Sequence, residues 1–256
     1  MWECFFAKHE KELQKILNDK FIWYRDVFIA ELKETLFRKI ERMQELETLK
    51  YILPEQDVKD NIATIFAGSV YMYFRFLYNK QKHECFETSL RTAIFLFIRN
   101  YAYGGMFRYS KSGDFNVPYG GIGYNSKSLE RKIAYYRSAE LLAHFERTKI
   151  YSLDFLDFLR SAHPTANDFI FLDPPYDTTF STYAQNEFSS GDQIRLADYL
   201  CGECKAKWMM IIKNTPLVYS LYEKRGVSLY SFNKKYQVSF MNRNDKNAEH
   251  LLIRNY

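Results

Sequence analysis

Apolar residues recur at three- and four-residue spacing through Phe28, Leu32, Leu36, Ile40 and Met43, with charged residues on the opposite side, which predicts a long surface helix. Pro54 closes that segment. A second helical stretch, rich in Tyr and Phe, is predicted at 57–79, and a third at 84–101 around the apolar run 93–98. Residues 16–19 read as the end of a short strand. The second half alternates: a strand at 148–152, a helix at 154–162, a buried strand at 169–172, a helix at 193–204, a buried strand at 208–212 and a helix at 217–224. Such alternation predicts an α/β fold with a mostly parallel sheet covered on both faces. Residues 237–241 and 249–255 flank a polar turn, which predicts an antiparallel hairpin at the end of the sheet.

Between Tyr103 and Gly123 the pattern breaks into six glycines, a proline, and interleaved aromatic and basic side chains. Backbone of that kind makes turns rather than a packed element, and a loop so long, with so many rings, predicts a binding surface. The rest of the composition narrows the class. With 256 residues and 47% hydrophobic side chains, the chain can bury a real core. A net charge of +5 permits a polyanionic partner without requiring one. The 21 Tyr and 22 Phe exceed what packing alone needs, and Tyr both stacks on bases and hydrogen-bonds. No basic leader precedes the short apolar stretch at 5–7, and no apolar run reaches the roughly 18 residues of a membrane span. The expectation is a cytoplasmic chain without a membrane partner. Cys201 and Cys204 are the only close cysteine pair, and zinc would need two further ligands at a recognisable spacing, so no metal site is expected.

Directly after the predicted strand at 169–172 comes Asp173-Pro174-Pro175-Tyr176. In open α/β sheets the ligand crevice lies at the carboxyl ends of the strands. Two prolines preset an extended shape, and since they lack N–H groups their carbonyls stand ready for a ligand. An exocyclic amine on an aromatic base is a poor nucleophile because its lone pair is delocalised into the ring. Acceptors from the Asp173 carboxylate and the Pro174 carbonyl, aimed at its two N–H bonds, favour the form in which that pair is localised. Tyr176 would stack on a base turned out of its helix. An ordinary turn after a strand is the competing reading.

These residues, with several other segments in order, resemble the Dam-like, D12 class of DNA adenine N6-methyltransferases. The resemblance runs from about Ile16 to Tyr256. It includes residues 100–109 and 113–120, similar to the family's target-recognition segment, then Asp173–Tyr176. It continues with Phe188, Asp192, Gln193 and Leu196, with Lys213-Asn214-Thr215, and with the closing stretch 249–255. It implies a Rossmann-like S-adenosylmethionine-dependent sheet formed by residues 1–75 and 149–256, with an inserted, mainly helical and loop recognition domain at 76–148. The implied reaction moves the methyl group of S-adenosylmethionine to adenine N6 in double-stranded DNA, as in restriction–modification or phage DNA modification. By resemblance, Asp173, Pro174, Pro175 and Tyr176 are catalytic, and Asp19, Asp154 and Asp173 bind the cofactor. Arg108, Tyr109, Lys111, Asn116, Pro118, Tyr119 and Lys127 contact DNA, with Arg108 suited to guanine and Lys111 and Lys127 to phosphate. Arg131, Lys132 and Arg137 extend the same basic face, or form an ordinary solvated helix surface.

The family normally begins with a Lys-bearing Gly-Gly segment and a glycine-rich loop after the first strand, and neither is seen: residues 1–15 contain no glycine. Phe66-Ala67-Gly68-Ser69 is a poor substitute, since it lies downstream of Asp19. Three accounts follow. A separate chain supplies the first strand, or the chain is an inactive remnant, or residues 1–15 improvise a strand. The rival functions are DNA binding without catalysis, and methylation of RNA or of a protein amine.

Overall fold

In the computed structural model, residues 2–49, 52–81, 83–176, 188–235 and 247–256 are described. The chain divides into two units, Met1–Arg131 and Lys132–Tyr256.

The first unit is helical: α1 (Trp2–Lys8), α2 (Glu10–Leu17), α3 (Arg25–Thr48), α4 (Glu55–Lys80) and α5 (Thr88–Tyr101). The spacing of Phe28, Leu32 and Leu36 does what it predicts, burying all three along one stripe of α3. Pro54 stands at the N-cap of α4, with Glu55 and Asp57 in the first turn where the helix dipole favours them. The core joins these residues to Ile65, Tyr71, Tyr73, Leu77, Ile94 and Ile98. Buried tyrosine hydroxyls need partners, and they find backbone: Tyr71 donates to the Val117 carbonyl at 2.9 Å and Tyr73 to that of Phe21 at 3.0 Å. Much of the aromatic surplus is therefore core and loop anchorage.

Residues 16–19 are not the end of a strand. Leu13 and Leu17, four apart, are buried on α2, and Asn18 caps it. The helical period extends back before Ile16, where a window that starts at Ile16 does not see it. Residues 2–8 and 10–17 are thus helical, which removes the account in which the first fifteen residues form a strand. Phe66–Ser69 lies inside α4 and makes no glycine loop.

The second unit holds α7 (Ala139–Glu146), α8 (Phe155–Ala162), β1 (Phe169–Leu172), α9 (Ser190–Asp198), β2 (Lys207–Lys213), α10 (Pro216–Tyr222), β3 (Ser228–Lys235) and β4 (Asn247–Arg254), with α6 (Glu130–Tyr136) at the junction. Its open sheet has the order β1-β2-β4-β3. Among the described residues only β1 and β2 are parallel, in the register Phe169 opposite Lys207. The pairs β2–β4 and β3–β4 are antiparallel. The fold is mixed α/β, but the sheet is not mostly parallel. Trp208, Met210 and Ile212 of β2 and Leu251 and Ile253 of β4 share the face that packs on Leu159, Leu196 and Tyr222 of the helices. The other face leaves Phe169 and Phe171 each 55% exposed and Tyr230 51% exposed, so β1 is not a buried strand, and the strand order puts it at an edge of the described sheet.

Residues 148–152 form no strand. Ile150 is 80% exposed, and no neighbour among the described residues offers the ladder an extended run needs. The expected strand at 249–255 is present as β4, paired antiparallel with β3; the strand expected at 237–241 lies outside the described residues. No described helix is long and apolar enough to cross a membrane.

Candidate functional site

The segment 103–123 is an ordered hairpin-like loop of the first unit. Cross-bridges join Ala102 to Tyr119 and Tyr109 to Phe115, and the Asn116 amide donates to the Arg108 carbonyl at 3.1 Å. Its tip turns over residues 110–114, where Gly113 takes a φ of 81° that only glycine adopts cheaply. Contrary to the expectation of unpacked backbone, Phe115 and Val117 are buried in the core at 1% exposure. Asn79 of α4 grips Phe115 like a neighbouring strand: its side chain donates to the Phe115 carbonyl at 3.1 Å and accepts from the Phe115 amide at 2.8 Å.

This frame sorts the residues expected at DNA. Arg108 and Asn116 come together, with Nε donating to Oδ1 at 2.9 Å, and Arg108, Lys111 and Pro118 are exposed. Tyr109 is turned to the protein, its hydroxyl 3.0 Å from that of Tyr78. Tyr119 is half-buried and donates to Asn125 Oδ1 at 3.1 Å; burial pushes its hydroxyl pKa up to about 12. Lys127 lies over the Tyr124 ring, 3.3 Å from its centroid, and donates to the Asn100 carbonyl. At Gly120 a β-carbon would overlap the Tyr124 ring, which a larger residue could fit only by displacing it.

In the second unit, β1 ends at Leu172 and the chain enters Asp173-Pro174-Pro175-Tyr176. Asp173 is exposed and the next three residues half-buried. Among the described residues, the Gln193 and His250 side chains contact this corner. Gln193, on α9 and fully buried, donates from Nε2 to the Pro175 carbonyl at 2.9 Å, while its buried Oε1 has no partner among the described residues. His250, buried on β4, lies with Nε2 3.3 Å from the Tyr176 hydroxyl and Nδ1 3.2 Å from the Ala248 carbonyl. A carbonyl only accepts, so in the neutral ring Nδ1 carries the proton and Tyr176 donates to Nε2. The helix that carries Gln193 is fixed by a capping box, in which Ser189 and Asp192 each bind the other's backbone. The hydroxyl and then the amide of Ser189 hold the Asp192 carboxyl below the usual carboxylate range.

Asp154 N-caps α8, accepting from Leu156 and Asp157, and pairs with Arg195 at 2.9 Å. Burial works to raise its carboxyl, but the amides and the guanidinium together leave it lowered. Asp19, in the first unit, accepts from the Phe21 amide at 2.9 Å in a turn after α2. The structure thus gives Asp154 a helix-capping role and Asp19 a turn contact. Cys201 sits in the π turn that follows α9 and Cys204 just beyond it. Among the described residues no group of three His, Cys, Asp or Glu side chains is placed to hold a metal. Gln193 and His250 lay within segments of the resemblance but carried no assigned role; a histidine in the apolar strand His250-Leu-Leu-Ile253 was the available signal.

Comparison with known proteins gives these features a context. Residues 47–238, three quarters of the chain, match the model of the D12 class N6 adenine-specific DNA methyltransferase family. Asp19 precedes the matched segment. The chain is 31% identical over 165 residues to the type II methyltransferase M.CviBI of Paramecium bursaria Chlorella virus NC1A, covering 63% of this chain and 60% of that protein. It is 28% identical over 205 residues to the type II methyltransferase M.MjaIII of Methanocaldococcus jannaschii, covering 76% of this chain and 63% of that protein. With the DNA adenine methylase of Escherichia coli K12 it shares 28% identity over 155 residues, covering 57% of this chain and half of that one. The chain therefore spans about 60% of the length of the first two of these curated relatives. On the family match and the strand-end Asp-Pro-Pro-Tyr corner together, the chain belongs to the D12 class N6 adenine-specific DNA methyltransferases.

Proposed function

We propose that this chain acts in site-specific methylation of adenine N6 in double-stranded DNA, with S-adenosylmethionine as donor. The observation that carries the reading is the corner Asp173–Tyr176, which follows a parallel strand and is braced by Gln193 and His250. An exposed Asp173 carboxylate is an acceptor of the kind that suits amine hydrogens, whether of the target base or of the cofactor's methionine end. Asp19 and Asp154 are assigned to the cofactor by resemblance alone. Bound S-adenosylmethionine would supply an electrophilic methyl group for in-line transfer. The chain's own part is to orient the amine: Asp173 and the Pro174 carbonyl draw its hydrogens and localise its lone pair, and Tyr176 stacks on the everted base. Arg108, Tyr109, Lys111, Asn116, Pro118, Tyr119 and Lys127 serve DNA in this reading, within a recognition segment at 76–148 inserted in a Rossmann-like sheet. Arg108 with Asn116 is the base-reading pair and Lys111 a phosphate contact.

A tritiated-methyl transfer assay on unmethylated duplex tests the function. Label in adenine that vanishes in Asp173→Ala, with DNA retention kept, is expected; DNA retention without any label would favour the rival, a DNA-binding protein without catalysis. We further propose that a separate chain pairs the open edge of β1. The backbone edge of β1, open among the described residues, favours this together with the exposed Phe171 and Ile150, because an unpaired edge and exposed apolar side chains are otherwise a liability. Tight S-adenosylmethionine binding by the purified chain alone would overturn it.

A further inference from the structure

Thr35, Arg38, Lys39 and Arg42 stand at i, i+3, i+4 and i+7 along α3, so their side chains share one stripe of that helix. They line an open cavity of about 350 Å³ whose opposite walls are Thr64, Gly68 and Met72 of α4 and Pro118, Tyr119 and Gly121 of the loop. The three elements meet closely at Gly68, where a β-carbon would lie 3.7 Å from both Thr35 and the Tyr119 ring. Among the described residues, three cations line this cavity and no carboxylate does.

The cations are not equivalent. Arg38 faces Glu34 at 3.7 Å and Arg42 faces Glu45 at 2.8 Å, in pairs whose side chains are all more than half exposed. Exposed pairs of this kind are weak and exchange partners readily. Lys39 is half-buried, and its ammonium donates to a neutral acceptor, Asn61 Oδ1, at 2.9 Å. Burial pushes its pKa down, as expected of a cation taken from water without a compensating anion. The nearby Glu31 carboxyl lines a separate cavity with Arg75, and burial, then Glu34, raises its pKa, which weakens its claim on the cations.

We propose that this cavity binds a backbone phosphate of the nucleic acid engaged by the loop, with Lys39 as the central donor and the Arg38 and Arg42 guanidiniums as flanking forks. The inference rests on the DNA-binding reading of the loop above. The chemistry fits a phosphate diester: a compact ammonium supplies point charge, guanidiniums supply planar paired donors, and the wall includes Pro118 and Tyr119, which follow the exposed Arg108–Asn116 pair in the same loop. It gives α3 a role outside the segment 76–148.

The test is the salt dependence of binding between the full chain and a roughly 20-base-pair duplex, over about 50 to 200 mM salt. Lys39→Gln is expected to weaken binding about tenfold at the lowest salt and to make the slope of log K against log salt shallower by about 0.9, one phosphate's share. Lys39→Arg should restore the slope, and Lys59→Gln, on an exposed face of α4, should leave it unchanged. Thermal unfolding checks that the variants are folded. An unchanged slope in Lys39→Gln overturns the proposal while leaving the DNA reading intact. So does an equal loss in Lys59→Gln, which would mark a general charge effect. Absence of duplex binding by the unaltered chain removes the DNA reading and the proposal together. As a second readout, duplex should protect Lys39 from acetylation; protection by inorganic pyrophosphate but not by duplex assigns the cavity to a small free anion and overturns it.

Discussion

Replacing Gln193 by Met separates what holds the Asp-Pro-Pro-Tyr corner from what holds the fold. The wild-type side chain donates one hydrogen bond of 2.9 Å to the Pro175 carbonyl and buries a second polar atom, Oε1, without a partner among the described residues. The bond contributes about 1 kcal/mol net, and the orphaned acceptor costs about 1–3 kcal/mol. Met removes both while nearly conserving volume, so no cavity opens. The Pro175 carbonyl, half-buried, regains water. The two terms largely offset, and stability should stay level or rise by up to about 2 kcal/mol, a melting shift of up to about 4–8 °C in a chain of this size. The corner, however, loses its tie to α9, and methyl transfer should fall by tenfold or more, since small misplacements of reacting groups are costly. Urea unfolding followed through the fully buried Trp208 measures the first quantity, and the tritium assay the second. A loss above about 3 kcal/mol would mean that Oε1 has a partner after all. Full transfer activity would mean that the carbonyl tie does not position the corner.

Other perturbations probe the supports one at a time. Asn79→Leu strips both bonds from the Phe115 backbone and should cost about 2–4 kcal/mol, with faster amide exchange in the loop; exchange unchanged would refute the strand-like grip. Gly120→Ala should displace the Tyr124 ring and release Lys127 from it, seen as altered Tyr124 ring shifts and weaker duplex binding. Ser189→Ala should lower stability by about 1 kcal/mol through loss of the α9 cap. Asp192 has a lowered folded pKa, so its stabilising contribution is complete above the unfolded value of about 3.9 and is lost as pH falls through the folded one. NMR titration should show that lowering reduced but not abolished in Ser189→Ala, since the residue 189 amide and Arg195 remain.

The elements most legible in the sequence were those whose own periodicity buries them. The stripe Phe28-Leu32-Leu36 and the alternating strand Trp208-Met210-Ile212 decide their partners locally. Failures came where pairing decides. The run at 148–152 has strand composition but no neighbour among the described residues, and β1 looks core-like in sequence yet ends at an edge with Phe169 and Phe171 exposed. β3 hides the opposite error: Ser228-Leu-Tyr-Ser-Phe-Asn-Lys-Lys235 is polar enough to read as loop, and β4 makes it a strand. At the site, the Asp-Pro-Pro-Tyr quartet was plain because its chemistry is contiguous. Its braces, Gln193 and His250, are 18 and 74 residues away in the contacts they make, a separation no local pattern encodes.

Those two braces also explain how so short a segment can be exact in its geometry. A loop alone pays for each fixed torsion in entropy. Prolines remove part of that cost in advance by fixing φ at two consecutive positions. What remains is the orientation of the corner as a whole, and it is fixed from two directions: at the Pro175 carbonyl by a helix whose start is locked by a capping box, and at the Tyr176 hydroxyl by a strand at the sheet's interior. With Nδ1 of His250 donating to the Ala248 carbonyl, Nε2 is the acceptor that faces the Tyr176 hydroxyl. His250→Gln, with one donor and one acceptor, should keep more of the Tyr176 contact than His250→Phe, which matches its ring but offers neither. Equal transfer rates in the two variants would show that Tyr176 is held by ring packing alone.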